Sequence, residues 1–364
     1  MQTDQPTIYR AEKLFTGSAW LENHCVVVAG GKVMDIVPSA DTTEKTIDCH
    51  ILAPAFIDIQ IYGAHGKLLA VYPEADSLHQ LFAYCLDGGA SHFQPTVATN
   101  DTAVFEQCVD AVRDYWKEGG KGCIGLHVEG PWINKIKKGA HIERFIHSPS
   151  LEEAKALLEY GKGVITMITL APEVCSKEVI ELIRSYGVII SAGHSNASYE
   201  EATAAFDDGI QAATHLFNAM SPLQHRAPGM AGAVLDHGSV MSSVVPDGYH
   251  VDFSAIRIAK KIMQERLFVI TDAVTETNSG PYAHQLQGDK YESNGILSGS
   301  ALTMAKSLRN LVHKVGIDTG EALRMVSLYP AQVMKLDHQL GRIEKGFAAN
   351  LVMLDETLEV KNSA

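Results

Sequence analysis

The chain has 364 residues, 46% hydrophobic and 20% charged, which suits a soluble globular protein with room for one barrel and a small second domain. A formal net charge of −13 excludes general nucleic-acid binding, because no basic face offsets the acidity. No stretch approaches the roughly 18 apolar residues of a membrane span, and Met1-Gln2-Thr3-Asp4-Gln5 lacks the layout of a signal peptide, so a cytoplasmic location is expected.

In chain order, the first 50 residues read as β-structure. Val26-Val27-Val28-Ala29 and Lys32-Val33-Met34-Asp35-Ile36-Val37 flank Gly30-Gly31 and form a hairpin signal. Strand-like runs then fall near 56–61, 91–95, 123–128, 164–169, 188–192, 211–215, 241–246 and 267–272. Helical stretches such as Ser176 to Tyr186, Ser198 to Asp208 and Phe253 to Gln264 separate them. Eight β runs alternating with helices predict an α/β chain with a (β/α)₈ TIM-like barrel. At the far end, Gly341 to Phe347 and Ala349 to Asp355 again read as a strand pair around a turn. The β-rich ends predict a small β-sandwich domain from residues 1–52 plus 340–364, with the barrel at 53–339.

Three connections are long: Gly130 to about Ser148, Leu216 to about Gly238, and Thr275 to about Ser300. Barrel active sites are built from the loops after strands, so these are expected to carry function. The Lys135-Ile136-Lys137-Lys138 run lies in the first of them and reads as solvated loop or as a draw for an anionic substrate. Cys25, Cys49, Cys85, Cys108, Cys123 and Cys175 are scattered without a C-x-x-C pair and read as free thiols in a reducing compartment.

Four polar residues end apolar runs: Glu129, His194, His215 and Asp272. If the strands share one barrel, these side chains converge on one rim. One carboxylate and two imidazoles suffice to hold a divalent ion, and a further carboxylate can move protons, which points to metal-assisted hydrolysis. Plainer readings stand beside this one. A strand-end histidine can be structural, and Asp272 can cap the segment after it. Glu129 weighs against them, because a carboxylate ending an apolar strand must be paired, solvated or on a metal. Loop residues His141 and His250 are ambiguous alone. Arg226 is the kind of donor that grips a phosphate, or forms a surface ion pair.

Taken together, the strings resemble the amidohydrolase superfamily and, within it, the N-acetylglucosamine-6-phosphate deacetylase family. Pro54 to Gln60 is similar to the superfamily's first-strand segment. Gly125-Leu126-His127-Val128-Glu129-Gly130-Pro131, Lys138-Gly139-Ala140-His141, Gly193-His194-Ser195, Thr214 to Met220, Thr271-Asp272-Ala273 and Gly299 to Met304 resemble the deacetylase blocks in order. The resemblance implies a homodimeric enzyme that deacetylates N-acetylglucosamine-6-phosphate to glucosamine-6-phosphate and acetate. It implies that Glu129, His194 and His215 bind one divalent metal, with zinc expected and iron, manganese or cobalt also suited to the donors. Asp272 would be the general base and acid, and His141 would polarise the acetamide carbonyl. Ala140, Asn218, Ala219 and His250 would contact the amino sugar phosphate, and Arg226 would reach the phosphate held by the neighbouring subunit.

The chain also departs from the superfamily. Most members carry His-x-His on the first strand for a second metal, whereas here the positions are Gln60 and Tyr62. The glutamine resembles single-metal deacetylases, and the tyrosine is bulkier than the family pattern. Phe217 stands where tyrosine is common. Two other substrates stay open at this level: another N-acetyl hexosamine phosphate such as the galactosamine epimer, and a cyclic amide or N-acyl amino acid. A non-catalytic scaffold is the remaining reading, and retention of all four strand-end groups argues against it.

Overall fold

The computed structural model describes residues 5–363. The chain divides into two compact units. One comprises the chain as far as Asp58, Cys85–His92 and the chain from Thr303 onward; the other comprises Ile59–Tyr84 and Phe93–Leu302.

In the first unit, Thr7–Phe15 (β1), Trp20–Ala29 (β2), Lys32–Pro38 (β3) and Ile47–Pro54 (β4) form a sheet with Leu351–Leu354 and Val360–Ser363. Both ends of the chain therefore meet in one six-stranded sheet. The β2–β3 hairpin forms where Gly30-Gly31 was expected to turn, and both glycines adopt positive φ, 57° and 71°. Leu14, Val26, Val33, Leu52 and Leu351 pack together in the core of this unit. One expected strand is missing. Gly341 to Phe347 forms no strand and instead hangs on single backbone bonds, Ile343 N–H to Thr16 O and Gly346 N–H to Val33 O. Its two glycines, both at positive φ, break the extended run that its apolar residues suggest.

The barrel sheet comprises Phe56–Ile61 (β5), Ala90–Ala98 (β8), Leu126–Glu129 (β9), Ile165–Leu170 (β10), Ile189–Ala192 (β11), Ala212–Ala213 (β12), Met241–Val244 (β13) and Leu267–Val269 (β14), with the short hairpin Gly63–Ala64 (β6) and Lys67–Leu68 (β7) after the first strand. Its eight strands lie side by side in chain order, β5-β8-β9-β10-β11-β12-β13-β14. Neighbours from β8 to β14 run parallel. A parallel bridge between Ile61 and Ala273 joins the last strand back to the first. This is the (β/α)₈ barrel that alternation predicts, with one or more helices in each crossover, such as Thr102–Lys117 between β8 and β9. The strands are buried on both faces, which explains their near-continuous apolar runs. Crossover helices start where a polar side chain accepts an early backbone N–H: Asp101, Ser150, Ser176, Ser198 and Asp252.

The three long connections differ from simple loops. The first contains two short 3₁₀ turns, Lys135–Lys137 and Glu143–Phe145. The second contains the helix Gly229–Asp236. The third folds into an antiparallel ribbon, Gln285–Gln287 (β15), Lys290–Ser293 (β16) and Ile296–Ser300 (β17). Among the described residues no helix is long and apolar enough to cross a membrane.

Candidate active site

The four strand-end groups meet on one rim of the barrel. Glu129 Oε1 lies 3.4 Å from His194 Nε2 and 3.3 Å from His215 Nε2, and the two imidazole nitrogens are 3.1 Å apart. An ion about 2.0–2.1 Å from each of three tetrahedral donors would hold those donors about 3.3 Å apart. The triangle therefore has the dimensions of a closed face around a single ion. His194 Nδ1 lies 2.9 Å from the Lys137 carbonyl, to which it donates, and this turns the Nε2 lone pair toward Glu129. With a cation between them, three converging lone pairs are matched; without one they repel. Glu129, His194 and His215 thus fit a divalent metal. His141 and His194 also gather with Glu129, their donor atoms within 4.8 Å of one another. His141 meets the other carboxylate oxygen, Oε2, at 3.4 Å, so the His215 trio is the one that shares a single oxygen.

The electrostatics follow the geometry. Burial alone would raise the Glu129 carboxyl, but the three imidazoles that face it, His141, His194 and His215, hold it well below the usual range. Burial pushes His194 down to about 4. His215 goes the other way: burial, the largest single influence, opposes its charge, but the hydrogen bond and charge of Glu129 together with the charge of Asp272 outweigh it and raise it. Burial raises Asp272, against the pull of His250 and His215.

Asp272 sits three residues past the end of β14, at φ 54°, with its N–H on the Gln60 carbonyl at 3.0 Å. No helix follows it, so the capping alternative falls away. Its Oδ1 accepts from Gln60 Nε2 at 2.8 Å, and its Oδ2 faces His250 Nε2 at 3.5 Å. His250 is aimed by Asp247, whose Oδ2 lies 2.6 Å from Nδ1 and whose Oδ1 accepts the N–H groups of Tyr249 and His250. Asp247 is a partner that reading the sequence missed. Its signal was the three-residue spacing to His250 directly after a strand.

His141 Nδ1 lies 2.7 Å from the Thr99 hydroxyl, a partner that reading along the chain did not name. Gly130, directly after Glu129, adopts φ 80°, and a Cβ there would collide with that hydroxyl. Gly130→Ala is accordingly expected to cost about 1–3 kcal/mol of stability, measured by urea unfolding, and to push Thr99 off His141. Unchanged stability would show that the loop relaxes freely.

One cavity collects most of the expected site. Its walls include Tyr62, Glu129, Ala140, His141, His194, His215, Asn218, Ala219, His250 and Asp272. Asn218 also donates from Nδ2 to the carbonyls of His215 and Leu216, both at 3.3 Å. Tyr282, His284 and Ser298 line the same cavity from the third connection, and sequence reasoning missed all three. Gln60 reaches in between the two carboxylates. Arg226 does not line the cavity. It is exposed and borders a separate depression with Ser198, Tyr199 and Gln224.

Comparisons with known proteins show the family. The amidohydrolase family model matches residues 51–363. The chain is 34% identical to the N-acetylglucosamine-6-phosphate deacetylase of Haemophilus influenzae, over 95% of this chain and 94% of that protein. It is 30% identical to the N-acetylgalactosamine-6-phosphate deacetylase of Escherichia coli O157:H7, over 97% and 96%. The crystal structure of N-acetylglucosamine-6-phosphate deacetylase from Pasteurella multocida superposes with a TM-score of 0.93 at 34% identity, covering 98% of each chain. A barrel whose strand ends gather Glu129, His194, His215 and Asp272 in one cavity, matched along nearly its whole length, belongs to the amidohydrolase family.

Proposed function

We propose that this protein hydrolyses the acetamide of N-acetylglucosamine-6-phosphate to give glucosamine-6-phosphate and acetate. The observation that carries the reading is the Glu129–His194–His215 triangle sharing a cavity with Asp272, in a chain similar over nearly its full length to deacetylases of that sugar phosphate. Glu129, His194 and His215 would hold one divalent ion, zinc before iron, manganese or cobalt given the nitrogen and oxygen donors. When bound, such an ion lowers the pKa of water toward about 7 and polarises a carbonyl oxygen.

The residues of the chain supply the rest. Asp272, with Oδ1 tied to Gln60, keeps Oδ2 open to take a proton from the attacking water. It then returns that proton to the amine nitrogen, because an amide anion is too poor a leaving group to depart unprotonated. With Thr99 as donor to Nδ1, His141 would carry its proton on Nε2, placed to hydrogen-bond the acyl oxygen as charge builds there. Ala140, Asn218, Ala219 and His250 line the sugar's part of the cavity. Arg226, which does not line the cavity of its own chain, would serve the phosphate bound by a second copy in a homodimer. The free cysteines support a reducing, cytoplasmic setting.

Acetate release from N-acetylglucosamine-6-phosphate, its galactosamine epimer and unphosphorylated N-acetylglucosamine tests this reading. The phosphorylated glucosamine sugar is expected to lead, with a KM about 10- to 100-fold below that of the unphosphorylated one, as charged hydrogen bonds to a phosphate supply. Arg226→Ala is expected to erase most of that difference. A preference for the epimer would move the assignment to the galactosamine series. Equal turnover with and without phosphate, unaffected by Arg226→Ala, would instead favour a cyclic-amide or N-acyl amino acid substrate.

A further inference from the structure

Gln60 and Tyr62 are two residues apart at the end of β5, so they face the same way. Both reach the ground between the buried carboxylates of Glu129 and Asp272. Gln60 Nε2 lies 2.8 Å from Asp272 Oδ1, 2.8 Å from the Tyr62 oxygen and 3.3 Å from Glu129 Oε1. The Tyr62 hydroxyl donates to Glu129 Oε2 and lies 3.3 Å from Asp272 Oδ1.

An amide has two hydrogens to give, and a phenol has one. The shortest approaches distribute them without conflict: Gln60 donates to Asp272 and to the Tyr62 oxygen, and Tyr62 donates to Glu129. Neighbouring buried carboxylates repel unless positive charge or hydrogen-bond donors lie between them. Here donors fill that ground. The Tyr62 ring is itself held, packed with Leu68, Val274 and Tyr282.

We propose that Tyr62 is a positioning residue that takes the place of a second cation. Its hydroxyl holds Oε2 of Glu129, which leaves Oε1 to the ion, and its side chain, ending between Glu129 and Asp272, keeps the centre to a single ion. The inference rests on the metal reading given above.

Two variants separate the roles of hydroxyl and ring. Tyr62→Phe removes the tether and keeps the ring; Tyr62→Ala removes both. Metal content after zinc saturation and desalting, zinc affinity by chelator competition, and kcat with KM are measured on each and on the wild type. The wild type is expected to hold one zinc ion per subunit. Tyr62→Phe should hold one as well, with affinity reduced about 10- to 100-fold, as for other groups that orient a metal ligand. Its kcat should fall while KM moves by less than about threefold, because the lost bond orients Glu129 rather than the sugar. Tyr62→Ala should rise toward two ions per subunit, since it opens a space flanked by two carboxylates. Wild-type zinc affinity in Tyr62→Phe would overturn the tether, and a single ion in a folded Tyr62→Ala would overturn the exclusion of a second. Should the alanine variant fail to fold by circular dichroism, the affinity of Tyr62→Phe decides alone. A wild type with no stoichiometric ion would sink the metal reading itself, an outcome distinct from both.

Discussion

Asp272→Asn is expected to lower turnover of N-acetylglucosamine-6-phosphate by about 10²- to 10⁴-fold while the bound ion stays in place. Asparagine matches aspartate in shape and tolerates the left-handed backbone at this position, φ 54°. Its amide oxygen can still accept from Gln60, and its N–H can still reach the Gln60 carbonyl. What the amide cannot do is take a proton from water and give it to a departing amine. The variant therefore separates proton transfer from ion binding, because Asp272 is not one of the three groups in the donor triangle. Acetate release and metal content on the same sample check the expectation. Near-normal release from Asp272→Asn would remove Asp272 from the role assigned to it. Loss of the ion together with activity would make Asp272 a ligand instead.

Chelation is expected to stop acetate release completely and to lower the midpoint of thermal unfolding by several degrees, with both restored by zinc. Glu129, His194 and His215 present three lone pairs 3.1–3.4 Å apart in a buried site, an arrangement that folding must hold together against its own repulsion. A ligand present at a thousand times its Kd that binds only the folded state adds about 4 kcal/mol. Calorimetry of the enzyme before chelation, after it and after zinc is returned reads this directly. Full turnover from protein stripped to under about a tenth of an ion per subunit would break the link between the triangle and the chemistry.

The strand-end groups were legible because a charged or imidazole side chain closing an apolar run is conspicuous in a linear string. The barrel was legible for a related reason: strands buried on both faces write unbroken apolar segments, and the helices between them write a different period. What stayed hidden depends on partners far apart in the chain. Thr99 meets His141 42 residues on, and Tyr62 meets Glu129 67 residues on. Neither pair leaves a local pattern. The ribbon at β15 to β17 was equally hidden, because its first strand is exposed and polar and gives no period to read. Gly341 to Phe347 misled in the opposite direction, since its apolar residues suggest a strand that its left-handed glycines interrupt. Strand lengths were over-read for a similar reason. β12 stops at Ala213, two residues short of His215, because the backbone must turn there to bring that ring inward.

That turning has a cost which engineering would expose. His194, His215 and Asp272 all sit at positive φ, 49°, 38° and 54°, where a side chain is less comfortable than glycine by roughly 1 kcal/mol or more. Each lies in a region of the map that most residues avoid, and each carries a group the chemistry needs. Screened without the ion, a library selected for heat resistance alone would find gains at those three positions. Its winners would be sturdier folds with glycine at the rim and nothing left to catalyse with, so any campaign to stabilise this scaffold has to score turnover in the same round.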